Sequence, residues 1–501
     1  MDLFRYRWVT LLDYAFSTVG LVTCLICLMT WLWYRKPPKY PPGPRGFPIL
    51  GVLPYLSQYP ERDFAKWKKI YGPLISLPMG WQNWIVIHDY DLIIETLVKY
   101  SEQFHGRPHL LFYDIARGKS GGIVFNIGGP KWKRQRQFGS AAMKSFSKQK
   151  IETRIIEELR YFSQEIQNQK GKPFNIQQFL TTSAANILCS VVFGRRFDYD
   201  DEKFREIVKN LGDQFKLASH WMTMVLTFVP TLCYAPFPPF STHVESSRKQ
   251  LSAINEHIRQ IIEEHRLSFD PNDIRDVVDQ YLLKELEEIE PNIPKDDVGL
   301  FLDFFIAGTE TTASSMRWAL LCLAIKQDVQ RKCQEEIDKV LGRDGVPSMT
   351  HRSNLPYICA TLQEILRFKA VTPLALPRRV TQDVEIRGYH IPKDTKVFIN
   401  LWQLHYDEAI WKDPWEFKPE RHLDDDGCFR HSKHVMPFSV GARACLGEQM
   451  ARMEMFLTLV VIMQKFLVRL NPADPDPPTF DSGTNGTIYI PKAFDLVMDT
   501  R

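Results

Sequence analysis

The residues best suited to chemistry lie at 438–447, Phe438-Ser439-Val440-Gly441-Ala442-Arg443-Ala444-Cys445-Leu446-Gly447, a glycine-bearing loop that runs into a long apolar segment of helical period. Cys445 stands where that helix would begin, beside unpaired backbone N–H groups and the positive end of the helix dipole, which both favour a thiolate. A thiolate so placed can ligate iron. Gly441 would permit a tight bend, Gly447 would let a flat ligand approach the helix, and Arg443 offers a fork-shaped cation to a carboxylate. Taken alone, a cysteine near a helix start is more often a packing residue. It is Phe, Gly, Arg and Gly at these offsets that argue for chemistry.

Other segments carry polar groups where the pattern is apolar. Ala307-Gly308-Thr309-Glu310-Thr311-Thr312 places a glycine and a run of hydroxyls inside a long helix, where buried polar groups need a reason. Back-bonding of threonine to the preceding turn is the plain alternative. Glu364 and Arg367, three apart on one helix, are neighbours able to pair, and Pro419-Glu420-Arg421-His422 lies upstream of the cysteine loop. Trp132 and Arg136 share a helix face. Arg107, in Phe104-His105-Gly106-Arg107, and Arg378, in Leu376-Pro377-Arg378, are further cations, with an ordinary surface arginine as the plain alternative for each.

The loop 438–447 meets every fixed position of Phe-x-x-Gly-x-Arg-x-Cys-x-Gly, and here the chain resembles the cytochrome P450 family, in particular the animal microsomal branch of steroid, fatty-acid and xenobiotic hydroxylases. The resemblance implies haem b with Cys445 as its axial thiolate, which pushes electron density to iron and favours O–O cleavage. Phe438, Gly441, Arg443 and Gly447 would complete the haem-binding loop, and Trp132, Arg136, Arg107 and Arg378 would approach the haem propionates. By the same resemblance Glu364, Arg367 and Arg421 form a structural triad, with His422 departing from the usual Phe. Thr311 would hydrogen-bond dioxygen or its water and Glu310 would relay protons. The activity implied is insertion of one oxygen atom of O₂ into a lipophilic substrate, by hydroxylation or epoxidation. A haem-dependent isomerase or dehydratase that uses no O₂, and a non-catalytic haem-binding membrane protein, are the rival readings.

To position these residues the sequence offers mostly helix. Ile151 to Ile166, Leu251 to His265, Leu300 to Ile325, Tyr357 to Phe368 and Leu446 to Phe466 show helical apolar faces without internal proline. A hairpin is predicted at Val384 to Ile386 and Tyr389 to Ile391 about Arg387-Gly388, with a further apolar run from Val397 to Leu401. The expected fold is mainly α with a small antiparallel β portion, the cytochrome P450 fold by resemblance, behind one N-terminal transmembrane helix. Segments 107–124, 217–224, 301–307, 371–376 and 483–487 are expected to line an apolar pocket.

The run 14–34 carries no charge and at about 1.5 Å per residue reaches roughly across a bilayer core. Its aromatic end, Trp31-Leu32-Trp33-Tyr34, and the cations after it read as an uncleaved anchor with the following chain in the cytosol. Residues 1–13 would then be lumenal, 35–50 a Pro-rich hinge and 51–501 the haem-thiolate catalytic domain, with the endoplasmic reticulum as the expected membrane. A second uncharged stretch from Trp221 to Thr242, broken by prolines, reads either as an interfacial segment in contact with membrane lipid or as a cover on the core. Nine cysteines at irregular spacing argue against a disulfide framework, and 63 basic against 59 acidic residues argue against nucleic acid. With no flavin or dinucleotide fingerprint, electrons must come from outside. The resemblance implies NADPH-cytochrome P450 reductase, with cytochrome b5 as a further candidate partner.

Overall fold

The computed structural model of the protein describes residues 18–28, 38–48, 50–80, 82–117, 122–287 and 298–501. Helix α1 (Pro60–Tyr71) packs on the hairpin of β1 (Leu74–Met79) and β2 (Gln82–Ile87). Then come α2 (Leu111–Arg117), α3 (Pro130–Ser145), α4 (Lys148–Gln167), the short β3 (Phe174–Asn175), α5 (Gln177–Val192), α6 (Glu202–Ala218), α7 (Trp221–Phe228) and α8 (Phe240–Ser268). The long α9 (Val298–Ile325), α10 (Gln327–Val340) and α11 (Pro356–Phe368) precede strands β4 (Arg378–Arg379), β5 (Val384–Ile386), β6 (Tyr389–Ile391) and β7 (Lys396–Ile399). Helix α12 (Glu448–Lys465) and strands β8 (Phe466–Leu470), β9 (Gly483–Thr484), β10 (Ile490–Pro491) and β11 (Asp495–Thr500) close the chain.

Local chemistry explains several boundaries. Ser147 caps α4 by accepting from Lys150 N, Asp201 caps α6 by accepting from Phe204 N, and Pro356 opens α11 at a position that needs no N–H. Helix α9 is apolar nearly all round, so it lies at the centre, with Phe301, Leu302, Trp318, Leu320 and Leu321 fully buried and α5 packed along it. Its charges are absorbed rather than solvated, as described below. The five predicted helices are α4, α8, α9, α11 and α12, and the predicted hairpin is β5 and β6.

The sheet prediction needs one correction. The four-stranded sheet runs β1-β2-β7-β4, and β2 pairs with β7 in parallel, from Trp84 opposite Lys396 to Ile87 opposite Ile399. Only the remaining pairs are antiparallel. Parallel pairing joins strands that are remote in sequence, so the short-range hairpin signals used above do not reveal it.

Of the predicted anchor 14–34, residues 18–28 are described; they are helical and exposed, and the rest lies outside the described residues. Among the described residues no helix is long and apolar enough to cross a membrane. The Pro-rich segment is fastened rather than loose where it is described: Ser76 N donates to Pro42 O at 2.7 Å and Ser76 Oγ to Pro41 O at 2.7 Å. Proline lacks a donor but keeps its acceptor, which β1 uses. The stretch 221–242 is two-sided. Met222, Leu226 and Cys233 are buried with Phe112 and Val244, whereas Trp221, Tyr234 and Phe237 are exposed.

Candidate active site

The cysteine loop is closed by Cys445 N donating to Phe438 O at 2.9 Å. Gly441 has φ +78°, and a Cβ there would stand 1.9 Å from Leu97 O, so the bend admits no side chain. Helix α12 begins just after Gly447, which caps it, and nothing lies within 4 Å of where a Gly447 Cβ would be. The exposed Cys445 borders a cavity of about 270 Å³ walled by α9, the cysteine loop and α12. Burial pushes its thiol pKa up, against the Gly447 N–H and the Arg136 and Arg452 cations that pull it down. The helix terminus alone therefore does not secure the thiolate; a cation bonded to the sulfur would.

Four arginines line the same cavity: Arg107, Arg136, Arg378 and Arg443. Arg443 donates from Nε to His105 O at 2.8 Å, from Nη1 to Ile123 O at 2.7 Å and from Nη2 to Asn126 O at 2.7 Å. Its guanidinium lies 3.7 Å from the centre of the Trp132 ring, and Trp132 Nε1 donates to Ile123 O. Arg107 donates to Val124 O at 2.9 Å and to Leu376 O and Pro377 O at 2.7 Å. Arg136 donates to Ala444 O, beside the cysteine. Arg378 reaches Ser439 Oγ at 3.5 Å, and its Nε has no hydrogen-bond partner among the described residues. The surface reading of Arg107 and Arg378 is thereby overturned, since both are buried.

Burial lowers the pKa of all four, and each of Arg107, Arg378 and Arg443 is lowered further by neighbouring arginines; Arg443 falls to about 8. The carboxylate that opposes this is Asp303, but Arg117 Nη2 already holds its Oδ1 at 2.6 Å and the Ile123 and Val124 N–H groups hold its Oδ2 at 2.6 and 2.8 Å. A cavity wall of crowded cations with an unpaired Nε fits a ligand that brings carboxylates, and an accessible sulfur fits one that brings iron. Haem b brings both.

Opposite the cysteine loop, α9 supplies Ala307, Gly308, Thr311, Thr312 and Ser315 to the wall. Thr311 Oγ1 donates to Ala307 O at 2.6 Å, so the back-bond and a place on the cavity occur together. Its proton is engaged and its lone pairs remain for a donor in the cavity. Gly308 is expected to leave space for oxygen, yet a Cβ there would also meet Leu188 of α5 at 3.0 Å, so the glycine equally serves helix packing. Glu310 is buried but absent from the cavity wall; its Oε1 accepts from Ser314 Oγ at 3.1 Å and its Oε2 has no direct partner among the described residues. Burial pushes its carboxyl pKa up, while Arg317 and Ser314 pull it down.

Glu364, Arg367 and Arg421 do come together. Arg367 grips the carboxylate with Nε to Oε2 and Nη2 to Oε1, both at 2.8 Å, and Arg421 Nε reaches Oε1 at 3.0 Å. His422 joins them. Its Nε2 stands 3.0 Å from Glu364 Oε2 and its Nδ1 accepts from Gln363 Nε2 at 2.9 Å, so the ring is neutral and donates to the carboxylate. Burial alone would raise the Glu364 pKa; Arg367, His422 and Arg421 outweigh it and hold it down to about 2.

Of the segments expected to line the pocket, 107–124, 301–307 and 371–376 contribute residues such as Val124, Phe304 and Val371. Segments 217–224 and 483–487 are not in this wall; they meet each other, a Gly486 Cβ falling 2.2 Å from Ser219 Oγ, and Thr487 Oγ1 bonds Tyr113 OH at 2.6 Å. Asp303 falls within the expected segment 301–307, but sequence reasoning did not single out its carboxylate as a polar group of the wall.

A family model described as Cytochrome P450 matches residues 41–498. Among curated relatives, cytochrome P450 2U1 of Rattus norvegicus is 34% identical over 96% of this chain and 95% of its own length. Cytochrome P450 2F2 of Mus musculus is 38% identical over 92% and 94%, and cytochrome P450 2C3 of Oryctolagus cuniculus 35% over 95% and 97%.

Proposed function

The chain belongs to the cytochrome P450 family, and from that premise we propose how its own residues run the haem-thiolate monooxygenase reaction. The family binds haem b through a cysteine thiolate, and the residues present fit that group. Cys445 would hold the haem iron through its sulfur, itself positioned in the cavity by the Phe438 carbonyl and the Gly441 bend. Arg378, with its free Nε, and the neighbouring Arg443, Arg107, Arg136 and Trp132 form the side that receives the propionates. Bound haem supplies the activation of O₂ by two electrons and two protons, one oxygen atom entering the substrate and the other leaving as water.

Thr311 Oγ1, its own hydrogen bonded to Ala307 O, would accept from water or a protonated group in the cavity and so hold a proton at that wall. Glu310 stores the proton that replaces it. Burial favours its neutral acid form, which suits a donor. Glu364, Arg367 and Arg421 lock α11 to the segment before the cysteine loop and so hold the sulfur in register.

Ile123, Val124, Phe304, Ala307, Val371 and Leu376 give the cavity an apolar lining, which supports a lipophilic substrate of steroid, fatty-acid or xenobiotic class, hydroxylated or epoxidised. NADPH-cytochrome P450 reductase is the proposed electron source, with cytochrome b5 as a second donor. A single N-terminal anchor in the endoplasmic reticulum membrane, with the catalytic domain cytosolic, is supported by the uncharged run 14–34 and by the exposed Trp221, Tyr234 and Phe237.

The observation that carries this reading is one cavity with an open sulfur on one wall, a threonine hydroxyl on another and uncompensated arginines between. Reduced protein with carbon monoxide should give the thiolate-ligated spectrum, and Cys445→Ser should abolish it together with NADPH-driven O₂ consumption in the presence of reductase. An unchanged spectrum in Cys445→Ser removes the ligand assignment. Substrate turnover without O₂ uptake would favour the isomerase or dehydratase reading instead.

A further inference from the structure

Helix α4, the loop 341–347 and the end of α12 enclose a second cavity, of about 260 Å³. It shares no lining residue with the haem cavity, and α12 runs 18 residues, about 27 Å, from the cysteine loop to Lys465 at this second site. The base is apolar, made by Ile156, Pro347 and the buried Leu159 and Val461. The mouth is cationic. Arg160 from α4, Arg343 from the loop and Lys465 from α12 stand there against one acid, Asp344.

The acceptors around this cavity are already answered. Gln464 Nε2 donates to Gly342 O and Gly345 O, both at 2.8 Å, which ties the loop to α12. The terminal carbonyls of α12, which would repel an anion, are covered as well: Ile462 O accepts the Phe466 N–H, Met463 O accepts Arg501 Nη1 at 2.6 Å and Lys465 O accepts the Arg501 N–H at 2.9 Å. The donors are not answered. Neither Arg160 nor Lys465 has a side-chain hydrogen bond or ion pair among the described residues, and Arg343 shares Asp338 with Arg501. Burial and the neighbouring Arg160 both lower the Lys465 pKa, as expected where cations face one space without a counter-charge. Open cations above an apolar base suit a ligand with one anionic end and one apolar end.

We propose that this cavity binds a small organic anion, a carboxylate or sulfonate head on a compact apolar body. The head meets Arg160 and Lys465 at the mouth, with Arg343 beside them, and the body lies on Leu159 and Val461. A bare inorganic ion would leave the base wet, and an uncharged molecule of the same shape would leave the cations without a partner. A molecule held at this end of α12 is out of reach of the haem, so it binds without being turned over.

The test is isothermal titration calorimetry of naphthalene-2-sulfonate into the haem-loaded, full-length enzyme with an azole filling the haem cavity. One saturable site is expected, with the azole-ligated haem spectrum unchanged. Naphthalene-2-sulfonamide, which keeps the shape and lacks the charge, and inorganic sulfate, which keeps the charge and lacks the apolar body, should each bind about tenfold or more weakly. Arg160→Ala and Lys465→Ala should each weaken the sulfonate about tenfold, the loss of one charge-assisted contact, while Lys465→Arg retains it and Lys209→Ala on α6 matches the parent. Arg160 and Lys465 hold no other side-chain bond, so thermal unfolding and the haem spectrum of these variants should stay those of the parent. The proposal fails if no saturable binding occurs, if sulfonate and sulfonamide bind alike, if sulfate binds as tightly as naphthalene-2-sulfonate, or if Arg160→Ala combined with Lys465→Ala leaves the affinity unchanged.

Discussion

Around Glu364 one carboxylate receives Arg367 twice, Arg421, the His422 ring and the Lys418 N–H, and its pKa falls to about 2. Around the cavity, Arg107, Arg378 and Arg443 are also buried, yet each depresses or is depressed by another arginine, and Arg378 Nε is left unpaired. Both are clusters of buried charge, in which a mismatch is expensive. One is completed within the chain and the other only by something that enters the cavity. Matched buried charge fixes the frame, and unmatched buried charge marks the place of a ligand.

The largest effect should come from breaking the matched cluster. Glu364→Gln leaves Arg367 and Arg421 buried without their counter-charge and is expected to cost about 3–5 kcal/mol in denaturant unfolding. Because its folded pKa lies below its unfolded value, Glu364 stabilises the protein above about pH 4.5, by about 3 kcal/mol, and loses that contribution as pH falls towards 2. Acid unfolding of the parent between those limits should therefore be steeper than that of Glu364→Gln, and equal slopes would contradict the ion-pair geometry.

Removing a cation from the unmatched cluster should act differently. Arg378→Met is expected to leave denaturant unfolding of the haem-stripped chain unchanged or later, because it deletes a charge with an unpaired nitrogen. Haem transfer from the loaded variant to an acceptor protein should speed up about tenfold or more, the loss of one charge-assisted hydrogen bond of about 1.5–3 kcal/mol. If Arg378→Met destabilised the stripped chain as Glu364→Gln does, the distinction between the clusters would collapse. The smallest change is His422→Phe, which deletes one hydrogen bond to Glu364 and leaves Gln363 Nε2 bonded to Arg430 O at 3.2 Å; about 1.5 kcal/mol in thermal unfolding is expected, with the haem spectrum intact.

Much of this was legible in the sequence because it is local. The hairpin at Arg387-Gly388 and the helices of 3.6-residue period needed only neighbours, and the cysteine loop carried its own turn residue at Gly441. What escaped was long-range. The parallel pairing of β2 with β7 joins residues 84–87 to 396–399, and the burial of Arg107 and Arg378 depends on carbonyls and neighbours far along the chain. Helical period placed Thr311 and Glu310 side by side in sequence but, at about 100° per residue, on different faces, which is why one borders the cavity and the other does not. His422 was marked as an exception at its position, yet only the fold reveals that its ring completes the Glu364 shell.

Asp303 carries one more implication. Three donors already occupy its carboxylate, from Arg117 and from the backbone of Ile123 and Val124, the last two on the cavity wall. An incoming amine meets an acid whose charge is already answered by Arg117 and two N–H groups, so discrimination along that wall rests chiefly on contour and oiliness.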